Sequence, residues 1–377
     1  MSIKIFQLFV YHYQLKFITS FMNSHHNILI IAPSWVGDFV IAQSLLITLK
    51  NKHPHAKITV FAGLWAKDLA SRMPEIDHFI VNPFQHRQIK LLARYKTAQQ
   101  IKELKFNTVY ILPLSLKSAL IPFFAKIPNR IGFIGESRYL LINKALKLNK
   151  KSLPRMVDRF VALANYTLPQ QDLNQLSSPP YPKLIIDQNQ QHLLLTKLGL
   201  TDKRIIFICP TAEYGPAKQW PWQHFASVAI MLMKRNYKII MLGVKKDQQL
   251  GNKIYNKIKL QPALADNFHN LMGLTSLTEV IDLLSCADAI IANDSGLLHL
   301  AAATFANNCY QNSQKITVQT IIAIYGSTPP QIAPPLYENH KILYLNLPCS
   351  PCHNRTCKFG HYHCLYNIQP ETVANLI

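Results

Sequence analysis

Short, dense apolar runs alternate with helical patterns along most of this chain, and they do so in two blocks. The first run, NILIIA at 27–32, is apolar at nearly every position, as is typical of a strand buried on both faces of a parallel sheet. Similar runs predict strands at 57–62, 78–81, 107–112, 204–209, 238–242, 270–272, 289–292 and 318–325. The patterns between them predict helices at 39–50, 65–72, 89–104, 115–125, 222–234, 247–259, 277–286 and 296–306. This alternation predicts βαβ units and parallel sheets.

A stretch rich in Gln, Ser and Pro, at about 168–182, separates the two blocks and is typical of a linker. A chain of 377 residues is also too long for one ordinary core. We therefore predict an α/β protein with two doubly wound, Rossmann-like domains. Ligands are expected at the carboxyl ends of the strands, in the cleft between the halves. The predicted divisions are an extension at 1–26, domains at 27–175 and 176–345, and a Cys-rich segment with a C-terminal helix at 346–377.

The charge balance predicts an anionic partner. The chain has 40 Lys and Arg against 19 Asp and Glu, a formal charge of +21. Nucleic acid, anionic lipid and phosphorylated substrates would all be attracted to it, and composition does not choose among them.

No stretch reaches the ~20 uninterrupted apolar residues of a membrane-spanning helix. The N-terminal segment is apolar and aromatic but is interrupted by Lys4 and Lys16, and it lacks a signal-peptide cleavage site. Either it touches a membrane surface or translation begins at Met22. The seven cysteines are an odd number, which excludes a complete intramolecular disulfide framework and favours a reducing compartment.

Three turns after predicted strands carry polar residues suited to chemistry. Asp38 could accept a proton from a hydroxyl, or it could simply bond the backbone amides at a helix start. Lys218, in a turn shaped by proline and aromatic residues, could reach a phosphate or be a solvated loop lysine.

The third turn, NDSGLLH at 293–299, predicts a helix N-terminus whose free amides suit a diphosphate. Plain N-capping by Asp294 and Ser295, and a core position for His299, are the alternatives. Neither G-x-G-x-x-G nor G-x-x-x-x-G-K-[S/T] occurs, so a dinucleotide dehydrogenase or a P-loop protein gains no support.

Four cysteines with the spacing C-x2-C-x4-C-x6-C cluster near the C-terminus, at Cys349, Cys352, Cys357 and Cys364. In a reducing compartment this spacing suggests structural zinc or an iron–sulfur cluster. A compact loop with free thiols, or disulfides formed on oxidation, is the alternative.

Taken together, these residues resemble the heptosyltransferases of lipopolysaccharide core assembly, glycosyltransferase family 9. The segments that carry the resemblance are APSWVGD at 32–38, SRMPEID at 71–77, LPLSLKSALIPFFAKIPNRIGFIGESRYLLIN at 112–143, CPTAEYGPAKQWP at 209–221, NDSGLLHLAAA at 293–303 and YGSTPP at 325–330. They extend over nearly everything from residue 27 onwards.

The resemblance implies a GT-B fold and an inverting transfer of L-glycero-D-manno-heptose from ADP-heptose onto the first heptose of the inner core, without a metal or other cofactor in catalysis. The acceptor would be heptosyl-Kdo-lipid A, reached from the cytoplasm by contact with the anionic inner-membrane surface, and no nucleic acid would take part. By the same resemblance Asp38 is the base. The residues implied for the donor are Lys218, Asp294, Ser295, Gly296 and Thr211 at the diphosphate, His299 near the heptose, and Asp247, Leu274 and Thr275 at the adenosine. Basic residues implied for the acceptor are Lys117, Arg130 and Arg138.

Two features depart from the family pattern, the N-terminal extension and an insertion at 304–315. The rival hypotheses are a related heptosyltransferase with another core acceptor and a basic nucleic-acid-binding protein. No RNA- or DNA-binding motif supports the second of these.

Overall fold

The structure, a computed structural model, describes residues 26–85, 88–168, 178–201, 204–311 and 319–377. The chain divides between Pro180 and Tyr181 into two compact units. Most of the predicted linker, nearly all of the N-terminal extension and the last part of the 304–315 insertion lie outside the described residues.

The first unit is a parallel sheet with helices between its strands. The strands are Asn27–Ile31 (β1), Lys57–Ala62 (β2), His78–Val81 (β3), Thr108–Ile111 (β4), Asn129–Phe133 (β5) and Lys144–Leu146 (β6). The helices are Val36–Lys52 (α1), Lys67–Ala70 (α2), Leu91–Lys102 (α3), Leu116–Phe124 (α4) and Met156–Leu163 (α5). The strand order is β3-β2-β1-β4-β5-β6, so the chain reverses direction across the sheet between β1 and β4.

The second unit repeats this plan. Its strands are Ile205–Cys209 (β7), Lys238–Met241 (β8), Phe268–Asn270 (β9), Ala289–Asn293 (β10), Thr320–Ile324 (β11) and His340–Leu343 (β12). Its helices are Gln188–Leu198 (α6), Trp222–Met233 (α7), Gln248–Lys259 (α8), Leu277–Leu284 (α9), Gly296–Gln311 (α10), His363–Tyr366 (α11) and Pro370–Ala374 (α12). The order β12-β11-β10-β7-β8-β9 places the reversal between β7 and β10.

The two parallel sheets confirm the predicted doubly wound α/β class. All five residues of β1 and of β7 are buried, as the dense apolar runs require. Described neighbours in each sheet pair in parallel. No helix among the described residues has both the length and the apolar character needed to cross a bilayer.

Several element boundaries differ from the predictions. β9 ends at Asn270, where the predicted strand at 270–272 was to begin. The predicted helix at 65–72 is a 3₁₀ turn followed by the short α2. The helix predicted to end at 306 continues to Gln311, so the first part of the 304–315 insertion lengthens α10.

The C-terminal segment is built into the core of the second unit. Leu365, Ile368 and Val373 are almost fully buried in the same apolar cluster as Trp220. The Trp220 indole Nε1 donates a hydrogen bond of 2.9 Å to the Ile368 carbonyl. The stretch from 346 onwards, set apart in the sequence analysis, is therefore part of the second unit.

Arg138 joins two turns at the carboxyl edge of the first sheet. Its side chain is almost fully buried. The guanidinium donates to the carbonyls of Pro113 and Ser115 after β4, to the Ser118 hydroxyl, and to the Phe133 carbonyl at the end of β5. Burial lowers the pKa of Arg138 to about 10, and the nearby Glu136 opposes the shift. This bonding explains how a cation is held inside the fold.

We expect Arg138→Ala to destabilise the first unit by about 3 kcal/mol, because buried carbonyls would lose their donors and a cavity would form. Urea unfolding followed by circular dichroism measures this loss. The exposed Lys150→Ala serves as the control and should leave the unfolding midpoint unchanged. An Arg138→Ala midpoint equal to that of the control would contradict the structural role.

Candidate functional site

The turns after four strands of the second sheet, β7, β8, β9 and β10, carry the residues predicted to bind a nucleotide sugar. Because the strands are parallel, these turns lie along one edge, in the order β10, β7, β8, β9. The predicted diphosphate residues follow β10 and β7, and the predicted adenosine residues follow β8 and β9. The sheet therefore gathers both groups at one edge, side by side.

An ion pair lies at the centre of this edge. Lys218 Nζ is 2.5 Å from Asp294 Oδ2, and the two side chains are only 14% and 10% exposed. The same Asp294 oxygen accepts a hydrogen bond of 2.5 Å from the hydroxyl of Thr328, in the turn after β11. The turns after β7, β10 and β11 thus meet at one carboxylate.

Thr328 is not among the residues predicted for the site. It lies within the YGSTPP segment that carried part of the family resemblance, so the residue was quoted there without a role. Its role depends on β11 lying beside β10, which the order of residues in the chain does not state.

The turn that carries Lys218 has little conformational freedom. Gly215 has a φ of 148°, and a Cβ there would lie 2.5 Å from the Arg355 carbonyl oxygen. The turn then forms the short 3₁₀ segment Pro216–Lys218, and the Trp220 amide donates to Asn293 Oδ1 at 3.0 Å. Lys218 therefore sits on a shaped turn, as the sequence suggested, and not on a loose loop.

The N-terminus of α10 lies beside this ion pair. The helix begins at Gly296, directly after Asp294 and Ser295. Amides in the first turn of a helix have no carbonyl partner within the helix and attract anions. Within the described part of the chain, the buried Ser295 hydroxyl has no hydrogen-bond partner. This end of the helix offers donors to an anion, and Lys218 adds a positive charge.

His299 lies in the first turns of α10 and is 5% exposed. Burial lowers its pKa to about 4; Asp294 acts to raise the pKa and Lys218 to lower it. Its Nδ1 lacks a hydrogen-bond partner among the described residues. His299 is therefore a buried neutral imidazole close to the ion pair. It is a core residue, as one alternative from the sequence had it, and it also lies beside the candidate site.

The adenosine residues lie further along the edge. Burial raises the pKa of Asp247, while a hydrogen bond with Thr211 acts against this shift. Leu274 is 68% exposed and Thr275 is half-buried. Gly273, with a φ of 71°, brings this turn against the turn after β8, since a Cβ there would lie 2.6 Å from Lys245 Cα. The structure thus places Asp247 beside Thr211 and the 273–275 turn beside the 243–247 turn.

Asp38 belongs to the first unit. It is the third residue of α1, which starts directly after β1, and it is half-buried. β1 lies beside β4 at the reversal point of the first sheet, where doubly wound sheets bind ligands. A carboxylate in the first turn of a helix is also stabilised by the helix dipole.

The three basic residues implied for the acceptor have different environments. Arg138 makes the hydrogen bonds described above, which give it a structural role inside the fold. Arg130 lies near the amino end of β5, away from the edge that carries Asp38, and donates to the carbonyls of Leu141 and Ile127. Lys117 is half-buried in the first turn of α4, which follows β4.

The C-terminal cysteines are free thiols. Among the described residues, no group of three or more His, Cys, Asp or Glu side chains forms a ready-made metal site. All four thiols nevertheless line one small pocket together with Ala217 and Ser327. The pocket therefore lies directly behind the turns that carry Lys218 and Thr328.

We expect the buried His299 to make stability depend on pH. Its pKa in the folded protein, about 4, is below the ordinary value of 6.5, so its contribution is full above pH 6.5 and is lost as pH falls towards 4. The whole effect is on the order of 3 kcal/mol. Urea unfolding at pH 7 and pH 5 should show a smaller loss for His299→Gln than for the wild type. The exposed His192→Gln is the control, and equal losses in all three proteins would contradict the assignment.

Comparison with known proteins shows which family the chain belongs to. The model of glycosyltransferase family 9 (heptosyltransferase) matches residues 94–363. The chain is 40% identical to lipooligosaccharide heptosyltransferase 2 of Haemophilus influenzae, covering 92% of this chain and 96% of that protein. It is 36% identical to lipopolysaccharide heptosyltransferase 2 of Salmonella typhimurium, with the same coverage of both.

Among solved structures, the ADP-heptose lipopolysaccharide heptosyltransferase II of Escherichia coli superposes with a TM-score of 0.79 at 33% identity. The match covers 93% of this chain and 97% of that one, and it confirms the GT-B class implied by the sequence resemblance. The chain belongs to glycosyltransferase family 9, the heptosyltransferases.

Proposed function

We propose that this protein transfers L-glycero-D-manno-heptose from ADP-heptose onto the first heptose of heptosyl-Kdo-lipid A. The observation that carries this proposal is the Lys218–Asp294–Thr328 cluster beside the N-terminus of α10. Relatives named heptosyltransferase 2, at 35–40% identity over nearly the whole chain, support the choice of donor and acceptor.

The second unit binds the donor in this proposal. Lys218 and the first amides of α10 contact the diphosphate, with Ser295 and Gly296 at the helix start. Thr211 also belongs to the diphosphate group, and Asp247, Leu274 and Thr275 lie on the adenosine side. His299, neutral at physiological pH, lies on the heptose side and offers an imidazole that does not repel the cationic character developing at the anomeric carbon.

Asp294 positions the lysine. A carboxylate next to a diphosphate would repel it, but Asp294 is paired with Lys218 and accepts a hydrogen bond from Thr328. Its charge is thereby compensated, and the ammonium is held at the helix start before the donor arrives. Such preorganised charge stabilises a leaving group more effectively than water does.

Transfer is a single displacement in this proposal. The acceptor hydroxyl oxygen forms a bond to the anomeric carbon while the bond from that carbon to the phosphate oxygen breaks. The hydroxyl proton passes to the Asp38 carboxylate, and ADP leaves with the electron pair. Because the nucleophile enters opposite the leaving group, the anomeric centre inverts, and Lys218 with the helix amides neutralises the departing charge without a metal.

The acceptor is a phosphorylated glycolipid, so the protein works in the cytoplasm against the anionic inner-membrane surface. The first unit has features that suit such contact. Leu92 and Leu140 are 74% and 89% exposed, and Tyr139 is 62% exposed. Lys90 and Lys96, also exposed, flank Leu92 in the chain. Exposed apolar side chains among lysines are typical of proteins that touch anionic lipid surfaces.

We expect Asp38→Asn to lower kcat by roughly 10²–10⁴-fold, because the variant cannot accept the proton. ADP affinity should stay at the wild-type value, since the donor binds to the other unit. Turnover of ADP-heptose with purified heptosyl-Kdo-lipid A measures the first quantity, and calorimetry with ADP the second. The control is Asp68→Asn, an exposed aspartate in the first turn of α2. Near-normal turnover by Asp38→Asn would show that Asp38 is not the base.

We expect Lys218→Ala to weaken ADP binding by about 10–100-fold, which corresponds to the loss of a charge-assisted hydrogen bond to phosphate. Calorimetric titration with ADP tests this directly. Lys234→Ala removes an equally charged but exposed side chain at the far end of α7 and should bind ADP normally. Equal affinities for the two variants would remove Lys218 from the diphosphate site.

A further inference from the structure

Four thiols surround one pocket in the C-terminal segment. Cys349, Cys352, Cys357 and Cys364 all line a cavity of about 40 Å³. That volume is larger than the space one water molecule needs, and it suits a single ion. Cys364 is almost fully buried, whereas Cys352 is exposed, so an ion could enter from the side of Cys352.

The backbone turns tightly after Cys357. The Gly360 amide donates a hydrogen bond of 3.2 Å to the Cys357 carbonyl, and Gly360 has a φ of 72°. This turn brings His361 and Tyr362 to the same pocket as the four thiols.

Positive charge stands close to the thiols. Lys358 lines the same pocket. Arg355 lies between Cys352 and Cys357 in the chain and places its guanidinium 5.2 Å from the centre of the Tyr214 ring. Four thiolates around a divalent ion carry two net negative charges, which these cations can offset.

The same segment is tied to the turn that carries Lys218. The Ala217 amide donates to the Arg355 carbonyl at 3.0 Å, and the Tyr214 hydroxyl donates to the His353 carbonyl at 2.6 Å. Gly215 fits only because it has no Cβ, as described above.

It is also tied to the turn that carries Thr328. The His353 amide donates to the Ser327 carbonyl at 2.8 Å, and the Ser350 hydroxyl donates to the Gly326 carbonyl at 2.6 Å. The Ser327 amide in turn donates to Ala217. The turns that carry Lys218 and Thr328, the two partners of Asp294, therefore both contact the loop between Cys349 and Cys357.

We propose that the four thiols bind one thiophilic divalent metal ion, Zn²⁺ or Fe²⁺, and that this ion fixes the loop on which the Lys218 and Thr328 turns rest. Each thiol loses its proton to solvent, and four sulfur–metal bonds form in a tetrahedral arrangement. The thiols close towards the ion, since the described side chains do not already form a ready-made set. The ion takes no part in transfer, because its site lies behind the turns that carry Lys218 and Thr328.

The metal is tested on the full-length wild type, purified under reducing conditions and reconstituted with Zn²⁺ or Fe²⁺. Elemental analysis should find about one ion per chain, and Co²⁺ in its place should give the intense absorption of tetrahedral thiolate coordination. The Cys352→Ser/Cys357→Ser double variant should lose more than about tenfold in metal affinity. Cys286→Ser, whose thiol is not among the residues lining this pocket, is the matched control and should bind metal as the wild type does.

Absence of stoichiometric metal from the reconstituted wild type overturns the proposal, as does equal metal binding by the double variant and the control. Disulfides among these cysteines in the reduced protein would overturn it as well. Because the Co²⁺ spectrum is read on the wild type, poor folding of the double variant does not remove the test.

The link between the metal ion and the turns that carry Lys218 and Thr328 rests on the proposed function, because it is measured as ADP binding. Removing the metal from the wild type with a chelator should weaken ADP binding at least about threefold, and adding Zn²⁺ back should restore it. Unchanged ADP affinity after metal removal would overturn the link between the ion and the turns that carry Lys218 and Thr328. If the proposed function itself is wrong, the metal-loaded wild type will not bind ADP at all while its metal content stays stoichiometric.

Discussion

The ion pair between Lys218 and Asp294 joins the two strands at which the second sheet reverses direction. Both side chains are largely removed from water, so neither charge is stable there without the other. The pair fixes the turn after β7 to the turn after β10, and Thr328 adds the turn after β11. One carboxylate thereby holds the lysine beside the N-terminus of α10, the helix that carries the buried His299. A diphosphate that enters this edge meets donors already in place, and Lys218 can be shared between Asp294 and the phosphate oxygens.

The C-terminal segment gives this edge a second support. It enters the core beside Trp220. Through Arg355, His353 and Ser350 it also contacts the turns that carry Lys218 and Thr328. Residues more than 100 positions apart in the chain therefore determine the shape of one turn. Substitutions in the Cys-rich loop should act on donor binding even though none of its side chains belongs to the predicted donor set.

The fold could be predicted from the sequence wherever strands are buried on both faces. NILII in β1 and IIFIC in β7 are apolar throughout, and no other element type fits them in this context. β5, β6 and β12 gave no such signal. β5 starts with Asn129 and Arg130, whereas β6 and β12 are edge strands with partly exposed residues. Their place in the sheets comes from pairing with a neighbour, and pairing over long distances leaves little trace in a local pattern.

In the candidate site, too, the single residues could be predicted from local sequence, whereas their contacts could not. Asp294 and Lys218 could be named because each follows a recognisable strand and lies in a quoted motif. Their contact, and the part of Thr328 in it, depend on the strand order β11-β10-β7 and could not be read from the chain. Arg138 shows what a local pattern leaves out. The resemblance implies a contact with the acceptor, and the structure adds that its guanidinium donates to carbonyls inside the fold. Local sequence reports the charge of a side chain, whereas the packing decides whether that charge faces a ligand.

The proposed function depends on nucleotide binding at the edge of the second sheet that carries Lys218 and Asp294. Hydrogen–deuterium exchange of the full-length protein, with and without saturating ADP, measures this directly because bound regions exchange more slowly. We predict slower exchange in peptides covering 211–219, 243–248 and 293–299, which carry Lys218, Asp247 and the start of α10. Slower exchange confined to the first unit, with these three segments unchanged, would contradict the account.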